Sequence, residues 1–159
     1  MDPKSKIKID SFEVSRMYLT DIPEVLKMAI EAQSSFGVNP ISSPTAFIQE
    51  MSRVLQANTR FSFVFRSNNK IFAAFIIKAK TSKSADFLYA FSNPRIFQTP
   101  EMYEAFSNKL KEMPFDVIYA YVLKKRKRFE VYVRFLKSIG FKKIFNENDV
   151  YLVISNEKA

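Results

Sequence analysis

The sequence predicts an α+β domain in which one strand is followed by two helices, three strands, a helix, a strand, a helix and two closing strands. Three observations carry that prediction. Strand-like apolar runs alternate along the chain with segments whose apolar residues recur at helical spacing. A polar link, Ser67-Asn68-Asn69-Lys70, joins two of the strand-like runs and suits a tight hairpin turn. Gly140, one of only 2 glycines, closes an amphipathic helix onto the final strand pair.

Phe12 to Leu19 reads as the first strand, and Thr20-Asp21-Ile22-Pro23-Glu24 as the entry to a helix. Asp21 is expected to cap it and Glu24 to complete a capping box; Pro23 fits a first turn, whose amides have no partner to lose. Val25, Leu26, Ala29 and Ile30 form the expected buried stripe. After a loop around Gly37-Val38-Asn39-Pro40, Ser43-Pro44 starts a second helix, with Phe47, Met51, Val54 and Leu55 in phase and an end near Asn58. Phe61 to Phe65 and Ile71 to Ile77 are the hairpin strands, and Ala85 to Phe91 a further strand ended by Ser92-Asn93-Pro94. A third helix runs from Thr99-Pro100 to about Met113, with Thr99 as cap and Tyr103, Phe106 and Leu110 in phase. Phe115 to Leu123 is the next strand. A fourth helix, Arg128 to Ile139, is expected to bury Phe129, Tyr132 or Val133, Leu136 and Ile139. Lys142 to Phe145 and Val150 to Ser155 close the chain as strands around an Asn146-Glu147-Asn148-Asp149 turn.

A length of 159 residues fits one domain, and 47% hydrophobic with 15% aromatic residues excludes a disordered chain. Residues 1–11 read as a basic N-terminal arm and 12–159 as a single domain. With neither cysteine nor histidine, disulfides, thiolate nucleophiles, histidine bases and cysteine or histidine metal sites are excluded. Asp, Glu, Lys, Tyr, Ser and Thr remain for chemistry. The charged N-terminus has no apolar stretch behind it, and no run has the length of a membrane span, so a soluble cytoplasmic protein is expected. A formal charge of +9 favours an anionic partner: nucleic acid, a phosphorylated cofactor or an acidic protein surface. Solubility of an aromatic-rich domain is the plain alternative.

The element order, the Asp21-Ile22-Pro23 helix entry, the Asn69-Lys70-Ile71-Phe72-Ala73-Ala74-Phe75 hairpin arm and the Phe135 to Phe141 helix end together resemble the GNAT superfamily of N-acetyltransferases over residues 12 to 155. The resemblance implies a mixed, mainly antiparallel central sheet of six to seven strands flanked by four helices. It also implies a glycine-rich turn after the fourth strand, whose amides bind the pyrophosphate of coenzyme A at a helix N-terminus. The corresponding stretch here, Pro94-Arg95-Ile96-Phe97-Gln98-Thr99-Pro100-Glu101-Met102, contains no glycine. Pro100 has no amide proton, and Glu101 places negative charge where phosphates would sit. Arg95, Gln98 and Thr99 are what remains for an anion. Leu136 occupies the place of the family's usual tyrosine acid, and Phe129 that of an accompanying asparagine. Asp86 survives as a candidate base, with Tyr119, Tyr121 or Tyr132 as substitute acids. Val133-Arg134-Phe135-Leu136-Lys137-Ser138-Ile139-Gly140 is similar to a helix pattern of GNAT-like internal virion proteins of short-tailed bacteriophages, which also carry leucine at the tyrosine position.

Lys124-Lys125-Arg126-Lys127-Arg128 sets five cations before the fourth helix, opposing its dipole. A phosphate or nucleic-acid contact, an acidic protein surface in an assembly, a solvated loop and a nuclear import signal are the competing readings. The sequence thus predicts a GNAT-like scaffold with a degenerate acetyl-coenzyme A site, acting as a phage binding or assembly component with an anionic partner, other virion proteins included. No cofactor is expected. An N-acetyltransferase using acetyl-coenzyme A and a non-specific nucleic-acid-binding protein are the alternatives.

Overall fold

The computed structural model describes residues 6–32, 43–58, 61–93, 95–123, 129–147 and 151–157. Strands β1 (Glu13–Arg16), β2 (Phe63–Ser67), β3 (Lys70–Ala79), β4 (Ser84–Ser92), β5 (Val117–Leu123), β6 (Lys142–Glu147) and β7 (Tyr151–Glu157) form a seven-stranded sheet in the order β1-β2-β3-β4-β5-β7-β6. Helices α1 (Ile22–Ala32) and α2 (Pro44–Asn58) lie between β1 and β2, α3 (Pro100–Glu112) between β4 and β5, and α4 (Phe129–Ser138) between β5 and β6. Every strand pair is antiparallel except β4–β5. A parallel pair needs a crossover rather than a hairpin, and α3 supplies it. The expected mixed α+β architecture is the one observed.

Alternation along the strands divides the apolar residues between two layers. Phe63, Phe65, Phe75, Phe87 and Ala90 lie in one core with Phe106 and Leu110 of α3 and Leu136 of α4. Val64, Ala74, Ile76, Tyr89 and Phe91 lie in the other with Val25 and Ala29 of α1 and Phe47, Met51 and Leu55 of α2. The first core is built of interlocking rings: Phe106 sits 4.0 Å from Phe75, 5.4 Å from Phe63 and 5.8 Å from Phe87, in tilted or edge-on geometry.

Local signals explain the joints. Asn68 and Asn69 take φ of 52° and 64°, the left-handed pair that makes a two-residue hairpin turn twist with its strands. Gly140 has φ 106°; its N–H donates to the Lys137 carbonyl (3.2 Å), and the Phe141 N–H to that of Leu136 (3.0 Å). That is a Schellman ending, with Phe141 and Leu136 buried in one cluster as its hydrophobic contact. Ser43 Oγ accepts from the Ala46 N–H at 3.3 Å and caps α2.

Several local expectations are corrected. The first strand is Glu13–Arg16 rather than Phe12 to Leu19, because Asp21 draws Leu19–Asp21 into a 3-10 turn: its Oδ2 accepts from the Tyr18 N–H (2.9 Å), and its Oδ1 pairs with Arg66 (2.7 Å). Glu24 closes no capping box; its Oε2 accepts from the Ile71 N–H (2.6 Å), fastening α1 to β3. Ile30 is 52% exposed, since one step beyond Ala29 turns it away from the sheet, and Ile22 and Met28 fill the buried face instead. Thr99 stands at the N-cap of α3 but gives no side-chain capping bond. Phe61 and Phe115, expected inside strands, precede β2 and β5, their rings 4.7 Å apart. The Gly37 loop lies outside the described residues.

Candidate functional site

The sheet opens at its one parallel seam. β4 and β5 pair from Ser84 with Val117 to Phe87 with Ala120, after which β4 continues beside β3 to Ser92 and β5 beside β7 to Leu123. Leu88 is the extra residue of a bulge there, because Ile76 faces Tyr89 while Ile77 faces Phe87. Ser62, fully buried, accepts from the Ile77 N–H at 3.0 Å on the other side of β3.

Asp86 and Tyr119 are register partners one step before the strands part. Asp86 Oδ1 is buried without a hydrogen-bond partner among the described residues. Lys78 faces Asp86 from β3, and Lys80 Nζ lies 5.8 Å from the centre of the Tyr119 ring. The structure thus brings two of the predicted catalytic residues together. Tyr121 adjoins Val153 in the sheet; its side chain and that of Tyr132 lie outside the described residues.

Beyond β4 the chain turns toward α3, and three successive amides of that loop are engaged. The Arg95 N–H donates to Asn93 Oδ1 (2.9 Å) and the Ile96 N–H to the Asn93 carbonyl (3.1 Å). The Phe97 N–H donates to the carbonyl of Ile7 (2.8 Å), while the Ile7 N–H donates to that of Arg95 (2.7 Å). Residues assigned from sequence to the N-terminal arm therefore add a parallel rung beside Ile96. The Met102 and Tyr103 N–H groups both donate to the Thr99 carbonyl, and Pro100 has none. Gln98 Nε2 donates to Ser92 Oγ at 2.9 Å. The Arg95 side chain is exposed.

Phe135 of α4 lies 6.1 Å from Tyr103 and 5.8 Å from Phe106, joining α3 to α4. Beneath the loop remains a cavity of about 30 Å³, walled by Phe65, Phe72, Ala90, Met102 and Phe106, with Ser92, Asn93 and Gln98 as its polar rim. Burial alone raises the phenol of Tyr103 on this wall. Lys124, Lys125, Arg126, Lys127 and Arg128 lie outside the described residues.

No family model and no curated protein matches the sequence. Solved structures do match the fold. A GNAT-family acetyltransferase of Bacillus cereus superposes with a TM-score of 0.67 at 11% identity, over 94% of this chain and 99% of that one. The ribosomal-protein-S18-alanine N-acetyltransferase of Escherichia coli gives 0.66 at 15% identity, over 94% and 96%. The loading GNATL domain of CurA from Lyngbya majuscula gives 0.69 at 9% identity, over 93% and 98%.

The chain has the GNAT fold. Within it, the residues present do not fit the pyrophosphate of acetyl-coenzyme A as a backbone cradle would. The loop lacks glycine, its amides at Arg95, Ile96 and Phe97 are already bonded, and Glu101 adds negative charge to the first turn of α3.

Sequence reasoning missed the Ile7 rung, although Lys6-Ile7-Lys8-Ile9 alternates as a strand does. It also missed Tyr89, whose hydroxyl donates to Glu50 Oε2 at 3.0 Å and ties β4 to α2 next to the bulge. No spacing in the sequence links those two residues. Among the described residues no acidic group of three or more is arranged to hold a metal, and no helix is long and apolar enough to cross a membrane.

Proposed function

We propose that this GNAT-fold protein is a binding component with a degenerate acetyl-coenzyme A site, whose partner is an anionic macromolecule. The observation that carries the reading is the loop between β4 and α3, where Asn93 and Ile7 take the hydrogen bonds of the Arg95, Ile96 and Phe97 amides. An anion arriving there finds side-chain cations, but the three amides that follow Pro94 are already bonded. The charge of +9 and the Lys124 to Arg128 run support an anionic partner. The likeness of Val133 to Gly140 to internal virion proteins of short-tailed phages supports a place in a phage particle or infected cell.

Calorimetric titration with acetyl-coenzyme A tests the reading. Absence of heat at millimolar ligand is the expected result; saturable binding at micromolar strength overturns it.

A second reading is favoured by one observation, the Oδ1 of Asp86, without a partner among the described residues, beside Tyr119 where β4 and β5 part. In an N-acetyltransferase with a divergent loop, Asp86 takes a proton from the acceptor amine and a tyrosine of β5 serves as acid. Micromolar acetyl-coenzyme A binding that survives Asp86→Asn, with loss of acetyl transfer to amines, is the signature of that enzyme.

A further inference from the structure

The Ile7 rung has a second consequence, on its outward side. Ile96 is buried at 9%, so its neighbours Arg95 and Phe97 turn outward; Arg95 is exposed and Phe97 is 46% exposed. The parallel register sets Lys6 alongside Arg95 and Lys8 alongside Phe97, and both lysines are exposed. None of these three cations belongs to an ion pair found among the described residues, which are Arg66–Asp21 and Lys109–Glu112. Asp10, two residues after Lys8, is the nearest acid along the chain, and neither it nor Glu101 in the first turn of α3 forms an ion pair with them among the described residues. Docking a basic segment against a basic loop costs repulsion unless an anion shares the surface.

We propose that Lys6, Lys8, Arg95 and Phe97 form a binding platform for single-stranded nucleic acid, with a base stacked on the Phe97 ring and the backbone phosphates on the three cations. The proposal deepens, and rests on, the reading of the chain as a binder of an anionic partner. An acidic peptide satisfies the cations through its carboxylates, and its acidic side chains bring no ring to the exposed Phe97. A nucleobase does, and a stacking platform flanked by positive charge is how sequence-tolerant single-strand binders work. A duplex keeps its bases stacked on each other and cannot give one up without unpairing cost. The net charge of +9 favours a long polyanion over a single nucleotide.

The test is fluorescence anisotropy of labelled oligothymidylate with the full chain at several salt concentrations, beside a duplex of equal length. Phe97→Ala is expected to weaken single-strand binding by about 5- to 100-fold, as loss of one stacked base does, while duplex binding stays unchanged. Replacing Lys6, Lys8 and Arg95 together with Ser is expected to lower the slope of log affinity against log salt by about 2. Single-strand affinity unaltered in Phe97→Ala, with the fold intact by circular dichroism, overturns the proposal. So does equal affinity for the duplex, or complete displacement by millimolar ATP, which assigns the surface to free nucleotides. Acetyl-coenzyme A titration of the same protein is read separately: its binding overturns the degenerate-site reading and leaves the oligonucleotide result to stand or fall on its own.

Discussion

Asp86 carries a buried carboxylate oxygen with no partner among the described residues, an arrangement that costs about 1–3 kcal/mol in a folded protein. Asp86→Asn is therefore expected to leave the melting temperature unchanged or raise it, in a thermal unfolding scan. A fall of several degrees would mean that the carboxylate holds the fold together and would remove the motive for a chemical role. Tyr89 is the opposite case. Burial first, then the charge and hydrogen bond of Glu50, push its phenol from 10.0 up to about 12. The fold thus favours the protonated phenol. Its stabilising contribution is complete below pH 10, declines as pH rises, and is gone once pH passes the folded value of about 12. Denaturant titrations over that window are expected to show a steep loss of stability in the parent and a shallower one in Tyr89→Phe; superimposable profiles would refute the pairing.

At the level of elements, Gly140 is where the chain tolerates least. Its φ of 106° lies where a Cβ clashes, so Gly140→Ala is expected to cost about 1–2 kcal/mol, read as a shift of the denaturation midpoint with unchanged slope. This joint was legible because helix endings and hairpin turns are written in short, local chemistry: Gly140, the Asn68-Asn69 pair and Ser43 each act over a few residues. Expectations failed where a side chain had a distant partner. Glu24 looked like a capping residue, yet Ile71 claims its carboxylate; Asp21 looked like a cap, yet it also answers Arg66 of β2, 45 residues along the chain. The candidate site divided the same way. The absence of glycine was visible in Pro94 to Met102, whereas the engagement of the loop by Ile7 joins residues too far apart along the chain for any motif to announce.

Across the whole molecule, the aromatic core packs β2, β3 and β4 against α3 and α4. Phe106 touches rings on β2, β3, β4 and α4, and Phe106→Ala is expected to cost about 3–5 kcal/mol, a large share of the about 5–15 kcal/mol that holds a domain folded. Loss of cooperative thermal unfolding, followed by near-ultraviolet circular dichroism, checks it. β1 to β4 form one antiparallel unit and β5 to β7 another, and the ladder between them runs from Ser84 to Phe87 and Val117 to Ala120, with the Asp116 N–H donating to the Lys83 carbonyl (2.7 Å) just before it. That short seam makes the molecule a book with a narrow spine. The two covers are each braced by their own ladders, and Phe87, Ile118 and Ala120 pack across the spine in one core. Past Phe87 and Ala120 no ladder joins the covers among the described residues, so whatever settles at the mouth of the seam lies between the two of them.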